Sequence, residues 1–384
     1  MGAPPVVRTG QSTATDAATA VRELHAALEQ PDAALVVFFC SSDYDLDAIA
    51  AELRVRFDGV TVVGCTTAGE IGPAGYESRS LCGVSFAATS FTAATGALAG
   101  LQDFTVGQGK ALVGALRDEL ERRVPTPAGA ETFAFLLIDG LSVREEPVAR
   151  SLHHELGGVP MFGGSAADGL RFGATHVYHG GRFHEDGAVL MLIATALPFR
   201  VFKTQHFAAD TERLVVTGAD PARRTVQEIN ALPAAEEYAR IVGVAVKDLD
   251  PTRFAASPVV VVIDGTDYVR SIQKANPDGS LTFYSAIDEG IVLRVARGVD
   301  LVGNLGATFD GLRAEVGPLQ VVIGCDCILR NLEMTQHGLK DQVADLLRAN
   351  NVVGFSTYGE QFRGAHVNQT LTGVAIGTAN WRGE

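Results

Sequence analysis

A segment of nine residues occurs twice in this chain, and this repeat constrains the fold more than any other feature. VVGCTTAGE at residues 62–70 returns as VVGFSTYGE at residues 352–360, and the match continues without a gap to LCGV (81–84) and LTGV (371–374). Nine of the 23 paired positions are identical, and three of the nine are glycines. Glycine permits tight turns and close backbone approach. The constant offset of 290 residues predicts two related halves and not a short-period solenoid.

Composition limits the class of protein. A chain of 384 residues exceeds the size at which one core keeps growing, so we expect two domains. The net charge is −14, from 31 basic and 45 acidic residues, which argues against nucleic-acid binding. An odd count of five cysteines favours a reduced compartment. With no signal-peptide pattern and no run of 18 apolar residues, we expect a cytoplasmic protein without membrane insertion.

The recurring order of predicted elements is strand, helix, strand and a turn of small residues. MFGGSAAD at residues 161–168 is a weaker third copy, in which Gly163 aligns with Gly64. From residue 199 onwards, strand-like runs follow one another with few helices between them. The sequence therefore predicts a mixed α/β (α+β) fold of two pseudo-repeated modules, at residues 12–197 and 198–380, with mixed β-sheets flanked by helices.

The repeated turn is the first candidate site. Hydroxyl residues and glycine at the end of a strand can present hydroxyls and backbone N–H groups to a ligand's carboxylate or phosphate, and a glutamate can hold its ammonium group. The alternative is that these residues only build a turn, with the glutamate capping a neighbouring element. The two copies comprise Thr66, Thr67, Gly69 and Glu70, and Ser356, Thr357, Gly359 and Glu360.

Three further patterns each have a functional and an ordinary structural interpretation. If residues 366–370 form a strand, its period of two places His366, Asn368 and Thr370 on one face, either beside the second turn or towards solvent. Cys327 would need a base such as His366 to act as a nucleophile, and a buried thiol is the alternative. His206, in an apolar run, is a haem-ligand candidate or a hydrogen-bonded core histidine. We predict no metal site, because the cysteine and histidine spacings fit none.

The chain resembles the FIST domain family over about residues 15–377. The strings that carry the resemblance are VVGCTTAGEI (62–71), MFGGSAADGLRFG (161–173), GAVLMLI (187–193), TVQEINALPAAEEYARIVG (225–243), VRSI (269–272), DEGIVLRVAR (288–297), CILR (327–330), YGE (358–360) and NQTLTG (368–373). Each string is short, but their order and spacing together are specific to the family's N-terminal and C-terminal modules.

The resemblance implies a cytoplasmic sensory module for a small ligand, such as an amino acid, that works with a histidine kinase, a chemoreceptor or a diguanylate cyclase. One subfamily resembles a haem-based nitric-oxide sensor. The family offers no catalytic set. Where many members have His-Gly-Trp, this chain has His206, Phe207 and Ala208, which weakens the haem interpretation. Because the sequence has no transmitter or receiver segment, we expect the signal to pass to a separate protein or to a second copy in a homodimer.

We therefore predict a ligand-binding sensor and not an enzyme. The alternatives are a haem-based gas sensor that uses His206 and a cysteine-dependent hydrolase or lyase that uses Cys327. In the main hypothesis Arg270 and Arg330 hold a ligand carboxylate and Glu360 holds its amine. The predicted ligand-binding residues are Arg270, Cys327, Arg330, Tyr358, Gly359, Glu360, His366, Asn368 and Thr370. The secondary candidates are Thr66, Thr67, Gly69, Glu70, Gly164, Ser165 and Asp168.

Overall fold

The computed structural model describes residues 6–123, 130–263 and 266–378. The chain forms three units of the same plan and one inserted region. Unit I covers residues 7–87 and unit II covers residues 91–195. Unit III begins at residues 199–204 and resumes at residues 301–377. The residues between these two parts of unit III, 207–298, are called the insert.

The elements of units I and II follow in chain order. Unit I contains β1 (Val7–Ser12), α1 (Ala17–Leu28), β2 (Ala33–Ser41), α2 (Leu46–Arg56), β3 (Val62–Thr67), β4 (Glu70–Gly72), β5 (Gly75–Glu77) and β6 (Leu81–Ala87). Unit II contains β7 (Phe91–Ala99), α3 (Val106–Arg122), β8 (Glu131–Ile138), α4 (Glu145–Leu156), β9 (Met161–Ser165), β10 (Val177–His179), β11 (Arg182–His184) and β12 (Gly187–Thr195).

The insert interrupts unit III after its first strand, β13 (Phe199–Thr204). The insert contains β14 (Phe207–Asp220), β15 (Thr225–Ile229), β16 (Leu232–Pro233), α5 (Ala234–Val242), α6 (Pro251–Ala256), β17 (Val259–Ile263), β18 (Thr266–Arg270), β19 (Ile272–Ala275), β20 (Leu281–Phe283) and β21 (Val292–Gly298). Unit III then continues with α7 (Leu301–Val316), β22 (Leu319–Cys327), α8 (Ile328–Gln336), α9 (Lys340–Ala349), β23 (Val352–Thr357), β24 (Glu360–Phe362), β25 (Ala365–Val367) and β26 (Leu371–Gly377).

Each unit builds a sheet in the same strand order: first strand, last strand, second strand, third strand. The orders are β1-β6-β2-β3, β7-β12-β8-β9 and β13-β26-β22-β23. In every unit the second and third strands are parallel and the other pairs are antiparallel. The sheet is then extended by a hairpin from another unit. Unit I receives β10–β11, unit II receives β24–β25 and unit III receives β4–β5. The exchange is cyclic, so the three units form a closed ring.

One apolar core lies at the centre of this ring. It contains residues from all three sheets, among them Val37, Phe135 and Ile323. In β2, Leu35, Val37 and Phe39 belong to this central core, whereas Val36 and Phe38 pack under the helices of unit I. Helices cover the outer faces of the sheets in units II and III in the same way. Because each second strand is buried on both faces, the sequence there is a continuous apolar run, as at residues 34–40 in unit I.

The predicted mixed α/β fold class is confirmed. The third copy is a complete unit, and the expected division at residue 197 falls between units II and III. The two predicted modules exchange hairpins, and the second of them contains the insert, which has a core of its own. No helix was predicted at residues 328–336, where the structure has α8.

Candidate functional site

The repeated turns meet at one end of the ring, where β3, β9 and β23 finish. The Ala68 N–H donates to the Ser356 carbonyl at 3.0 Å, and the Ala167 N–H donates to the Thr66 carbonyl at 2.9 Å. The Ser165 N–H donates to the Gly359 carbonyl at 2.8 Å. In units I and III the turn leads straight into the hairpin that crosses to another unit's sheet. The turns are therefore the points at which the three units interlock.

The two repeated glutamates have matching partners. One oxygen of Glu360 accepts from the Thr357 hydroxyl at 2.6 Å, and the other accepts from the Thr370 hydroxyl at 2.6 Å. Glu70 accepts from Thr67 on one oxygen and from the Ser80 hydroxyl at 2.8 Å on the other. Each glutamate thus joins the two ends of its crossing hairpin.

Burial alters the charge of both carboxyl groups. Glu70 and Glu360 have no solvent-exposed surface. Loss of hydration raises the pKa of Glu70 to about 7 and that of Glu360 to about 8, although the hydroxyl hydrogen bonds oppose the increase. The prediction that Glu360 holds a ligand's amine is therefore corrected, because its oxygens are sealed in the protein and already have hydrogen-bond partners.

The other secondary candidates also have packing roles. The Thr66 hydroxyl accepts from the His176 N–H at 3.0 Å, and the Ser165 hydroxyl accepts from the Gln361 amide at 3.0 Å. A Cβ at Gly164 would lie 2.8 Å from the Phe355 ring, so this position requires glycine for close packing. Thr67, Gly69 and Asp168 line a cavity of about 300 Å³ at the end of β2 and β3.

The predicted Arg330 and His206 sites form a buried chain of polar contacts. Arg330 Nε donates to Asp326 at 2.7 Å, and its Nη1 donates to Nδ1 of His206 at 3.0 Å. His206 Nε2 then donates to Glu333 at 2.8 Å. Arg330 is sealed from solvent, so it does not hold a ligand carboxylate. His206 has no free ring nitrogen for iron, so the haem-ligand prediction does not fit this geometry.

Cys327 is also buried. Its burial, together with the negative charge of nearby Glu360, raises the pKa of the thiol well above its ordinary value. A nucleophilic cysteine needs the opposite shift. All five cysteines are buried and free. Within the described ranges, no group of three or more metal-ligating side chains comes together.

The predicted strand over residues 366–370 ends early. β25 stops at Val367, and Gln369 adopts a left-handed conformation with φ of 49°. The side chains of His366 and Asn368 nevertheless lie together against Gly359, because a Cβ there would be 2.6 Å from His366 Nε2 and 3.1 Å from Asn368 Nδ2. The prediction that His366, Asn368 and Thr370 share one polar face is corrected, because the Thr370 side chain turns towards Glu360.

The structure places an open cavity of about 270 Å³ between unit II and the insert, and we call it the inter-unit cavity. It lies at the carboxyl end of β8 and the start of α4, where α/β sheets commonly bind ligands. The residues that units II and III contribute to its wall are Gly140, Leu141, Val143, Glu145, Phe172 and Tyr358. Residues contributed by the insert are Ala222, Arg223, Arg224, Gln273, Thr282, Phe283 and Tyr284.

A group of charged residues forms the floor of the inter-unit cavity. Arg224, which is 8% exposed, donates through Nη2 to Glu145 and Glu146 at 2.7 Å each. Its Nε is buried and has no hydrogen-bond partner among the described residues. Burial raises the pKa of Glu145 to about 7. Burial also disfavours the charged form of Glu146, but the nearby His366 ring, the Arg224 charge and the Ala286 N–H hold its pKa below the ordinary value.

Several of the predicted residues lie at or beside this floor. Tyr358 lines the cavity, and Gly359 follows it in the chain. Arg270 donates to the His366 carbonyl at 3.0 Å, and burial lowers the pKa of the His366 ring to about 4, so it is neutral at pH 7. The side-chain amide oxygen of Asn368 accepts from the Ser285 hydroxyl at 2.7 Å. Arg270, His366 and Asn368 therefore connect the insert to the core behind the cavity.

Glu145, Arg224 and Phe172 were not predicted from the sequence. The signals present in the sequence are the adjacent pairs Glu145-Glu146 and Arg223-Arg224. Opposite charges in pairs are common on surfaces, so the pairs alone do not indicate a site. The insert lies against α4 and brings Arg224 to Glu145, although the two residues are 79 positions apart in the sequence.

The chain matches two family models. The model described as FIST N domain matches residues 34–232, and the one described as FIST C domain matches residues 234–363. The first match extends beyond unit II into the insert. No curated protein matches the chain. Of the helices that the structure describes, none has the length and apolar character needed to cross a bilayer.

Proposed function

Because the chain belongs to the FIST family, whose domains are generally associated with sensory signal transduction and small-ligand binding, we propose that it is a sensor whose ligand occupies the inter-unit cavity. The volume of about 270 Å³ suits an amino acid or a metabolite of similar size. We place this function in the cytoplasm, with a separate signalling protein such as a histidine kinase or a cyclase as the output partner.

The observation that carries this proposal is the unpartnered Nε of Arg224 at the wall of the cavity. A buried donor without an acceptor costs roughly 1–3 kcal/mol. Because Nε has almost no accessible surface, an acceptor reaches it only when the Arg224 side chain moves on ligand binding, and that contact would remove this cost. Two wall residues also have left-handed backbones, Val143 with φ of 56° and Phe172 with φ of 52°. Such conformations are costly in side chains of this kind and cluster at ligand sites.

The position of the cavity gives the ligand a route to an output. Its walls come from unit II, from the insert and from Tyr358 of unit III. The insert leaves and re-enters unit III at two adjacent points, where the Val299 N–H donates to the His206 carbonyl at 2.8 Å. A ligand that contacts both unit II and the insert holds the two together, and a partner protein that binds the insert would respond to its position. We propose binding and not catalysis, in line with the expectation from the sequence.

A thermal-shift screen with amino acids and small metabolites tests this function, because a ligand that binds the native state raises the melting temperature. We expect at least one compound to raise the melting temperature of the wild-type chain and to have a weaker effect on Arg223→Gln. Arg22→Gln, an exposed change on α1, serves as the control. A screen without hits, or hits that Arg223→Gln leaves unchanged, contradicts the proposal.

A further inference from the structure

The inter-unit cavity has a flat aromatic surface on one side. The Phe172 ring stacks on the Tyr358 ring with centroids 4.6 Å apart and an interplanar angle of 19°. Tyr358 is buried, whereas Phe172 is 37% exposed. Since Tyr358 covers one face of the Phe172 ring, the exposed surface lies on the other face and the edges. A second planar group can therefore extend the stack.

The Phe172 ring is held in place by its loop. Asp168 accepts from the Phe172 N–H at 2.9 Å and from the N–H groups of Gly173 and Ala174 at 2.8 and 3.0 Å. The same carboxylate accepts from the Tyr358 hydroxyl. These bonds fix the left-handed backbone of Phe172 and the partner ring together. The aromatic surface is thus formed before any ligand arrives.

On the charged side of the cavity, the group that lacks a hydrogen-bond partner is a donor and not an acceptor. Both glutamates at the floor have partners, because Arg224 Nη2 serves Glu145 and Glu146, and the Ala286 N–H also serves Glu146 at 2.8 Å. The unpartnered group is the Nε donor of Arg224. Arg223 adds a second cation at the same wall. A ligand carboxylate can pair with the exposed Arg223, whereas a ligand ammonium finds no unpaired carboxylate among the described residues of this floor.

On the basis of the proposed ligand-binding function, we infer that the inter-unit cavity selects a small planar anion, an aromatic or heteroaromatic carboxylate. Its ring stacks on Phe172 and its carboxylate pairs with the exposed guanidinium of Arg223. The aromatic stack favours flat rings over puckered rings, and the arginines favour anionic ligands over neutral ligands. Both features line the same cavity, so one molecule can meet them together.

Three probes of similar size separate the two features. Benzoate has the ring and the charge, cyclohexanecarboxylate keeps the charge without the flat ring, and benzyl alcohol keeps the ring without the charge. By titration in protein-observed NMR, we expect benzoate to bind roughly three- to tenfold more tightly than cyclohexanecarboxylate. We expect it to bind at least about tenfold more tightly than benzyl alcohol. Equal affinities in either pair overturn the inference.

Substitutions test which residue causes the preference for benzoate over cyclohexanecarboxylate. Phe172→Leu keeps the apolar side chain and removes the flat ring, so the preference for benzoate over cyclohexanecarboxylate should disappear. Phe183→Leu is the matched control, since Phe183 also packs on a tyrosine but lies outside the cavity. Arg223→Gln should reduce benzoate affinity without changing that preference. Melting temperatures of the unliganded variants show whether each one folds.

The outcomes distinguish this inference from the proposed sensor function on which it rests. If planar carboxylates fail while another compound raises the melting temperature and is sensitive to Arg223→Gln, the ligand class is wrong and the sensor function stands. If no compound binds, both are rejected. A benzoate preference that Phe172→Leu leaves intact places the ring elsewhere and overturns the inference.

Discussion

Glu70 and Glu360 occupy equivalent places in units I and III, and each closes the base of a hairpin that leaves its own unit. Unit II has no glutamate at this place. There Asp139 accepts from the Thr175 hydroxyl and from the Asp186 N–H at 2.6 Å, which lie at the two ends of β10–β11. Three carboxyl groups thus perform the same structural task at the same end of the ring.

Glu360→Gln should remove a pH dependence of stability. The folded pKa of about 8 lies above the ordinary value of 4.5, so the folded state holds a proton that the unfolded state releases in between. This contribution is complete below pH 4.5 and is lost as pH rises through 8. From pH 5.5 to 8.5, the unfolding free energy of wild type should therefore fall by about 2 kcal/mol or more relative to Glu360→Gln.

Urea unfolding at both pH values measures this difference. Glu121→Gln, an exposed change on α3, is the control and should follow wild type. Parallel behaviour of wild type and Glu360→Gln across this pH range would show that Glu360 is ionised in the folded protein throughout.

Relief of backbone strain gives a second prediction at this scale. Val143 has a β-branched side chain and a φ of 56°, and it is largely exposed. Asparagine tolerates this conformation far better. Val143→Asn should therefore raise the unfolding free energy by about 1 kcal/mol, measured by urea unfolding. Val106→Asn, at an exposed site with ordinary helical geometry, should give no gain.

At the residue level, the sequence predicted residues beside the cavity better than the residues that line it. Tyr358 lines the cavity, and His366 and Asn368 lie behind it. A repeated glutamate beside glycine, such as Glu360, can bind a ligand or close a hairpin, and sequence cannot distinguish these roles. Arg224 and Phe172 depend on contacts with residues 79 and 186 positions away, which local patterns do not reveal.

The repeated glycine of the three units has one physical cause at the level of elements. A Cβ at Gly64 would lie 2.5 Å from the Phe38 carbonyl, one at Gly163 would lie 2.3 Å from the Leu136 carbonyl, and one at Gly354 would lie 1.8 Å from the Gly324 carbonyl. In each unit the third strand thus approaches the backbone of the parallel second strand too closely for any side chain. This contact explains why the repeat could be detected at all.

Gly354→Ala should destabilise the protein by about 3 kcal/mol or more, because the added methyl group meets backbone that cannot move aside. Gly114→Ala is the opposite case. Gly114 lies on the exposed side of α3, with nothing within 4 Å of the added Cβ. Alanine there should stabilise by about 0.5–1 kcal/mol. Chemical denaturation of both variants checks the pair, and a mild effect of Gly354→Ala would show that β22 and β23 can separate enough to admit a methyl group.

The elements themselves were largely predictable, because apolar runs and helical periodicity are local signals. In α4, for example, the buried residues Val148, Leu152 and Leu156 recur at the four-residue spacing of a helix. The hairpins were not foreseen as exchanged strands. Their three-residue strands carry no clear alternation, and their partners lie in another unit, as with Ile71 and Gly354. Such pairing is a property of the closed ring.

In the whole molecule, the cyclic exchange makes the three units depend on one another, whereas the insert is nearly self-contained. Residues 207–298 have their own apolar core, which includes Leu214, Tyr238 and Phe283. The two ends of the insert are paired, since Phe207 faces Gly298 across adjacent strands. The edges of the insert are therefore a structural boundary in addition to the division predicted at residue 197.

Two deletions should consequently behave in opposite ways. A chain of residues 1–197 lacks β24–β25, which extend the unit II sheet, and leaves β4–β5 without the unit III strand that they pair with. It also loses the unit III part of the central core, so it should not unfold cooperatively. A chain in which a short glycine-serine loop replaces residues 207–298 retains all three units. It should unfold in one cooperative transition, detected by calorimetry, and should lose ligand binding because half of the cavity wall is gone. Cooperative unfolding of residues 1–197 would instead show that the N-terminal half is an independent domain and that the hairpin exchange contributes little to its stability.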